Sequence, residues 1–236
     1  SVVGEAGEHV PADFNWTWQA PFAHRWTSKK LHSKVLHIGR QGMTFHVGGQ
    51  PVRLKLPGQG KPVSGILISD PCFSSRGGTP CPNGRRFKVL DRLTKVINKL
   101  VGSAEFDFWG IVGDNFYDET GDISSEFFSH LSIDVKSKPF LTVPGNHDFW
   151  TSGMPSEDKR NQLGYGFMQF YGQDTIAGSG GHTPYSTLAG LGPAGLPQAD
   201  NFIFGTQIGD LAFFGYSGAH NWSTTRPHAE QFCDFV

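Results

Sequence analysis

Two short polar segments of this chain carry side chains that could do chemistry. Residues 113–118 read GDNFYD, and residues 144–149 read PGNHDF. Each segment directly follows a short apolar run, and a third apolar run ends on Asp70. Runs of this length and composition predict buried strands. Because open α/β sheets bind their ligands at the carboxyl ends of their strands, these segments predict one shared functional site.

Hard oxygen donors stand at the three predicted strand ends. They are Asp70, Asp114 and Asn146, and such donors suit divalent or trivalent cations. Asp114 has two carboxylate oxygens and could bridge two ions, as in sites that hold metals about 3.5–4 Å apart. Taken alone, each donor is explained as well by a helix N-cap or an Asx turn. Their joint occurrence at three strand ends favours a metal site.

An alternation of strands and helices would position these donors. Apolar runs predict strands over 64–70, 106–112 and 139–143. Helical spacing of apolar residues over 85–101 predicts a crossover helix, and a second helix is predicted to begin at Ser124. The succession predicts an α/β fold with a parallel sheet.

The chain is predicted to divide near residue 62. Residues 1–62 are rich in Trp, His, Gly and Pro, and alternating segments between residues 34 and 56 predict an array of antiparallel hairpins. This region is therefore predicted to be a β-rich extension. Residues 63–236 are predicted to form the main domain, in which residues 202–216 form a further hairpin and residues 227–236 begin a further helix.

Composition limits the classes of partner. The chain has 236 residues, is 37% hydrophobic and carries a net charge of −1, with 17% charged residues. The apolar content is sufficient for a core. Without a local basic patch, the charge balance argues against binding of nucleic acid or of an anionic membrane. No apolar run approaches the roughly 20 residues that span a bilayer, so no membrane span is predicted.

Three features favour a secreted or lumenal protein. Asn15 and Asn221 each begin an N-glycosylation sequon. Cys72 and Cys81 flank a loop rich in Gly and Ser that could close as a disulfide, although the spacing also suits two free thiols. Cys233 is left over, so its partner is predicted to lie outside this sequence.

The sequences GDNFY at residues 113–117 and GNHD at residues 145–148 resemble the calcineurin-like metallophosphoesterase superfamily and, within it, the purple acid phosphatases. The resemblance covers about 170 residues from Val63 onward. Other branches place a histidine where this chain has Cys72, which favours the purple acid branch. The resemblance implies an αββα sandwich, in which helices flank mixed β-sheets.

The resemblance also implies a set of metal ligands. Tyr117 would bind a ferric ion, and Asp114 would bridge it to a second metal. Asp70 matches the position of a further metal ligand in the family, and Asn146 would bind the second metal. The implied cofactors are two metal ions, iron together with iron, zinc or manganese.

The activity implied is hydrolysis of phosphate monoesters. His147 would face the phosphate and stabilise charge or protonate the leaving alcohol, with Asp148 beside it to orient its ring. The implied substrates are phosphorylated small molecules or proteins, and a phosphodiester or nucleotide substrate is left open by the residues themselves.

Two departures from the family pattern leave alternatives. The family's Gly-Asp-x-Gly block is Ser-Asp-Pro-Cys at residues 69–72, and the family's later histidine blocks, which supply three imidazole ligands, do not occur before Val236. A second chain or a C-terminal fragment could complete the site, the sequence could be part of a longer one, or the site could have decayed. The alternative function is a catalytically inactive phosphatase-fold protein with a binding or structural role.

Overall fold

The structure of the protein is a computed structural model. It describes residues 2–5, 16–19, 29–33, 42–47, 49–73, 81, 84–118, 121–148, 170–171, 203–218 and 222–235.

The described part of the N-terminal region contains five short strands. β1 (Val2–Glu5), β2 (Trp16–Gln19) and β3 (Lys29–Ser33) form an antiparallel sheet in the order β1-β3-β2. β4 (Met43–Val47) and β5 (Gln50–Leu54) form a separate antiparallel pair. The prediction of a β-rich N-terminal extension is therefore confirmed.

The β4–β5 hairpin follows from local sequence. Side chains along β4 alternate between half-buried and exposed, as in a strand with one covered face. Gly49 in the connecting turn has a φ of 78°, a conformation that glycine adopts without strain. This pair is one hairpin of the array expected between residues 34 and 56, of which residues 34–41 and 48 lie outside the described residues. The domain boundary at residue 62 stays a prediction.

A parallel sheet of three strands carries the predicted donor residues. Its strand order is β6-β7-β8, and the strands alternate with helices as predicted. The elements are β6 (Gly65–Ile68), α1 (Val89–Leu100), β7 (Phe108–Val112), α2 (Asp122–Ser129), α3 (Ile133–Lys136) and β8 (Phe140–Val143).

The helices cover one face of this sheet. Trp109 and Ile111 of β7 point to that face and pack with residues of α1, α2 and the preceding loops. The buried members of this core are Phe73, Ile97, Val101, Trp109, Ile111, Phe116, Ile123, Phe127, Leu131, Val135 and Tyr171. Several of them are aromatic, and the rings of Phe116 and Phe127 have centroids 4.4 Å apart. This core lies directly beneath the loops that follow β6 and β7.

A second hairpin covers the opposite face. It consists of β9 (Ile203–Ile208) and β10 (Leu211–Tyr216), joined at Gly209, which has a φ of 60°. Phe108 of β7 packs against Phe213, with ring centroids 4.9 Å apart. Both faces of the parallel sheet are therefore covered, as is usual for such sheets.

The outer face of this hairpin carries the last helix, α4 (Trp222–Phe235). Phe214 follows Phe213 on the strand and so points to the opposite side, where its ring lies 5.8 Å from that of Phe232. The layers are thus helix, parallel sheet, hairpin and helix. This arrangement confirms the predicted α/β fold and its αββα layering.

Two helix starts differ from the sequence predictions. α2 begins at Asp122 and not at Ser124, because the Asp118 carboxylate accepts hydrogen bonds from the N–H groups of Gly121 and Ser124 and caps the helix from before it. α1 begins at Val89 and not at residue 85, since residues 84–88 form turns.

The start of α4 was also predicted too late. The sequence places a helix start at Pro227, where proline is favoured in a first turn. The helix instead begins at Trp222 and includes Pro227 in its interior. Trp222, the first residue of the helix, contacts Tyr216 of β10, with ring centroids 5.7 Å apart.

Candidate metal centre

The three predicted donors follow adjacent strands at the carboxyl edge of the parallel sheet. Asp70 follows β6 by two residues, Asp114 follows β7 by two residues, and Asn146 follows β8 by three residues. Because the three strands are parallel and adjacent, their following loops converge. Asn146 is exposed in a short 3-10 turn, residues 146–148.

Asp70 and Tyr117 join the first two loops. The Tyr117 hydroxyl donates a hydrogen bond of 2.8 Å to Oδ1 of Asp70, and the Ser69 hydroxyl donates to Oδ2. The Asp70 N–H also donates to the Gly113 carbonyl at 3.3 Å. The carboxylate and the phenol are therefore held at one point, although 47 residues separate them in the chain.

Asp114 lies between these residues and the third loop. Its Oδ1 accepts the backbone N–H of His147 at 3.0 Å. A side chain on Gly145 would place its Cβ only 2.1 Å from this same oxygen, so glycine is required for the close approach of the two loops. The His147 ring lies beside Tyr117, with centroids 5.0 Å apart, which brings His147 into the same cluster.

The backbone of the first two loops is strained. Asp70, Asp114, Phe116 and Tyr117 have φ values of 51°, 47°, 72° and 53°. They are four of the five non-glycine residues with positive φ among the described residues. Such conformations cost of order 1–3 kcal/mol each and cluster at functional sites. The strain is thus concentrated where the sequence predicts chemistry.

A buried network lies beneath the cluster. The Asp148 side chain, 1% exposed, accepts hydrogen bonds from the Asn115 N–H at 2.8 Å, the Asn115 Nδ2 at 3.0 Å and the Gly145 N–H at 2.7 Å. Asn115 also donates to the Val143 carbonyl at 3.2 Å and accepts from the Thr142 hydroxyl at 2.9 Å. These bonds lock the loop after β7 to the loop after β8.

This network changes the account of Asp148. Both oxygens of its carboxylate accept N–H groups of Asn115 and Gly145, so its observed contacts join two loops. Orientation of the His147 ring by Asp148 stays a prediction. Sequence reasoning missed Asn115 and Thr142; the position of Asn115 inside the GDNFYD segment was the available signal, whereas nothing in the sequence marks Thr142.

The pKa values of Tyr117 and Asp148 are raised, and that of Asp70 is lowered. Burial, with additional contributions from Asp70 and Asp114, raises the pKa of Tyr117 above its ordinary value, so the phenol keeps its proton when no cation is present. Hydrogen bonds from Ser69 and then Tyr117 lower the pKa of Asp70. Burial raises the pKa of Asp148 to about 7, against the three N–H bonds that favour its charged form.

Comparison with known proteins assigns the family. The sequence model of the calcineurin-like phosphoesterase family matches residues 66–222. The chain belongs to this family. Its members hydrolyse phosphoesters with bound metal ions and typically hold two of them. No curated protein and no solved structure matches the chain significantly.

The residues of this phosphoesterase fit a hard cation. Two carboxylates and a phenol, from Asp70, Asp114 and Tyr117, converge at one edge, and these are ligands that hard metal ions accept. Within the described residues, no group of three or more His, Cys, Asp and Glu side chains is arranged to hold a metal ion. The fit therefore rests on oxygen donors, of which the phenol requires a cation to lose its proton.

The remaining predictions for this phosphoesterase concern its cysteines, its glycosylation sequons and a membrane span. The disulfide between Cys72 and Cys81 is confirmed, with Cα atoms 5.5 Å apart, and Cys233 is a free, exposed thiol. Asn15 and Asn221 lie outside the described residues. No helix in the described ranges is long and apolar enough to cross a membrane.

Proposed function

We propose that this phosphoesterase hydrolyses phosphate monoesters at a dinuclear metal centre of the purple acid type. The observation that carries the proposal is the convergence of the Tyr117 hydroxyl on Asp70, beside Asp114. A phenol at this position, with its proton held until a cation replaces it, suits a ferric ion, because Fe³⁺ is a hard ion and the ionised phenol is an oxygen donor. Iron is therefore proposed for one position, and iron, zinc or manganese for the other.

The proposed ligands are Asp70, Asp114, Tyr117 and Asn146, with Asp114 shared between the two ions. When bound, two such cations lower the pKa of water and stabilise charge on the attacking and leaving oxygens of an in-line displacement. The chain contributes the placement: the His147 N–H fixes one oxygen of Asp114, and the buried Asn115–Asp148 network fixes the loop that carries both residues 146 and 147.

His147 is proposed as the residue that meets the phosphoryl group. Its ring is half-buried beside Tyr117, so it lies at the cluster and still reaches solvent. From this position the imidazole would donate a hydrogen bond to a phosphoryl oxygen or a proton to the leaving alcohol. The substrates are proposed to be phosphorylated small molecules or proteins, in a secreted or lumenal setting that the disulfide supports.

Metal content and colour test the proposal. We expect the isolated protein to contain about two metal ions per chain, with iron among them, and to show a tyrosinate-to-iron charge-transfer band in the visible spectrum. It should hydrolyse para-nitrophenyl phosphate. A protein without bound metal and without hydrolysis would instead support the catalytically inactive scaffold.

A variant of the proposed bridging ligand makes the test specific. Asp114→Asn removes one negative charge and the shared carboxylate, so we expect loss of at least one metal ion per chain and at least a 100-fold loss of turnover, since two-metal catalysis requires both ions. Asp134→Asn is the matched control, because Asp134 is exposed on α3. Equal metal content and equal turnover in the two variants would contradict the assignment of Asp114.

A further inference from the structure

A basic turn precedes α1 at the same edge of the sheet as the metal centre. α1 connects two adjacent parallel strands, β6 and β7, so it begins at the carboxyl edge and ends at the amino edge. Residues 84–88 form the turn that leads into its first residue. This turn therefore lies on the side of the sheet where Asp70 and Asp114 lie.

The disulfide fixes this turn to the first ligand loop. Cys72, two residues after Asp70, is bonded to Cys81, and the Gly84 N–H donates to the Cys81 carbonyl at 3.0 Å. A Cβ on Gly84 would lie 2.2 Å from the Phe73 carbonyl oxygen, so the two backbones are in close contact. The Val89 N–H donates to the Gly84 carbonyl at 2.9 Å and joins the turn to the helix. The turn is thus anchored near Asp70 at Gly84, and its other end is bonded back to Gly84.

The turn presents an excess of positive charge. Arg85, Arg86 and Lys88 are exposed, and Phe87 is 51% exposed, with the Arg86 guanidinium 5.7 Å from its ring centroid. The sequence from 71 to 90 contains no acidic residue, and no carboxylate within the described ranges pairs with these three cations. In a chain with a net charge of −1, this is a local concentration of charge and not a general property.

We propose that this basic turn, residues 85–88, binds a second anionic group of the substrate. The inference rests on the proposed phosphatase function and narrows its substrate class to small phosphomonoesters that carry another phosphate or carboxylate. One phosphate is held at the metal centre, and the second anion is held by the guanidinium groups of Arg85 and Arg86, which bind such groups through paired N–H donors. The exposed Phe87 ring contacts Arg86 and holds its guanidinium at the edge of the proposed substrate site.

A pair of matched substrates tests the proposal. Fructose 1,6-bisphosphate carries a second phosphate, and fructose 6-phosphate does not. For the native protein we expect a higher kcat/KM for the bisphosphate, and for the double variant Arg85→Gln with Arg86→Gln we expect the ratio of the two kcat/KM values to fall about tenfold, mainly through KM, because two charge-assisted contacts are lost. The preference should also weaken with added salt.

The control uses basic residues further along the same helix. Arg92→Gln with Lys95→Gln removes two exposed cations at the fourth and seventh residues of α1 and should leave the ratio within twofold. An unchanged ratio in the Arg85 and Arg86 variant, or an equal fall in both double variants, would overturn the proposal.

Direct binding separates this proposal from the proposed function. If the native protein hydrolyses neither substrate, the hydrolytic function has failed, and titration calorimetry with fructose 1,6-bisphosphate still decides the role of the turn. We then expect binding to weaken about tenfold in the Arg85 and Arg86 variant and not in the control. Equal binding by all three proteins, or no binding by the native protein, would overturn it.

Discussion

Two carboxylates of the site, those of Asp148 and Asp70, have opposite surroundings. Asp148 is 1% exposed and accepts three N–H groups from two loops. Asp70 is exposed and accepts the hydroxyls of Ser69 and Tyr117. Their pKa values move in opposite directions, up for Asp148 and down for Asp70.

These surroundings suit the two carboxylates to different roles: Asp148 supports the fold, and Asp70 is open to a cation. A buried N–H group that loses its acceptor has no water to replace it, so Asp148 is needed by the fold whether or not a metal is bound. A hydroxyl at the surface can turn to water, so Asp70 can exchange its partners for a cation without loss to the fold. The buried Asn115–Asp148 network therefore supports the loop that carries Tyr117, the hydrogen-bond partner of the exposed Asp70.

Removal of the buried carboxylate should have the largest effect on stability. Asp148→Ala leaves N–H groups of Asn115 and Gly145 without an acceptor, and we expect the free energy of unfolding of the metal-free protein to fall by about 3 kcal/mol. Asp70→Ala, the exposed counterpart, should change it by about 0.5 kcal/mol or less. Urea unfolding of both variants measures the difference, and similar losses would remove the distinction between the two carboxylates.

The next largest effect is expected where Gly145, after β8, packs against Asp114, after β7. In Gly145→Ala the new Cβ would lie 2.1 Å from Oδ1 of Asp114, so the loops must separate, and we expect a loss of about 2 kcal/mol in unfolding free energy. Metal content should fall as well, because Asp114 is displaced. Gly218→Ala is the matched control, since nothing lies within 4 Å of its Cβ position. If both variants unfold alike, the close packing of the loops is not required.

The opposite pKa shifts predict opposite pH dependences in the metal-free protein. Asp148 has a raised pKa, so its contribution to stability is present below its ordinary pKa of 3.8 and is lost as pH rises through about 7. Asp70 has a lowered pKa, so its contribution is present above 3.8 and is lost as pH falls.

Melting temperatures across pH 3 to 8 measure these contributions. The native protein minus Asp148→Asn should give a difference that decreases with rising pH, and the native protein minus Asp70→Asn a smaller difference that increases. The Asp70 effect is smaller because solvent screens an exposed charge. Two differences of the same sign would refute the contrast.

A small effect on stability is also expected at Tyr117. Tyr117→Phe removes one hydroxyl that bonds to the exposed Asp70, so unfolding free energy should change by about 1 kcal/mol or less. The iron-loaded variant should nevertheless lose the visible charge-transfer band, because the phenol is the proposed ligand. Tyr216→Phe, at an exposed tyrosine of β10, is the control and should keep the band. A band that persists in Tyr117→Phe would exclude this residue as the ligand.

Much of the fold could be predicted because its signals are local. The apolar runs over 64–70, 106–112 and 139–143 were predicted as strands, and the structure places strands within each of them. Helix starts were less accurate, since the start of α2 depends on the carboxylate of Asp118 and that of α4 on a contact between Trp222 and Tyr216. Both contacts join residues only six positions apart, but they depend on side-chain geometry that the periodicity of apolar residues does not show.

The candidate site was likewise predicted only in part from the sequence. The donors Asp70, Asp114 and Asn146 were predicted from their positions after strands, because the carboxyl ends of parallel strands share an edge. The Asn115–Asp148 network was not predicted, since an asparagine beside an aspartate in sequence gives no sign of which distant carboxylate and carbonyl groups will accept its N–H groups. The basic turn likewise reads in sequence as a solvated charge run, and its place near the centre follows from the disulfide and the topology.

By itself, the sequence determined the order of strands and helices, the polar residues at the strand ends and the family to which the chain belongs. Each of these depends on neighbouring residues, through side-chain periodicity and short motifs. Only the tertiary structure decided which carboxylate is buried and which is exposed, and therefore which supports the loops and which is open to a cation. Burial depends on packing between segments far apart in the chain, and it sets both the cost of an unpaired polar group and the direction of each pKa shift.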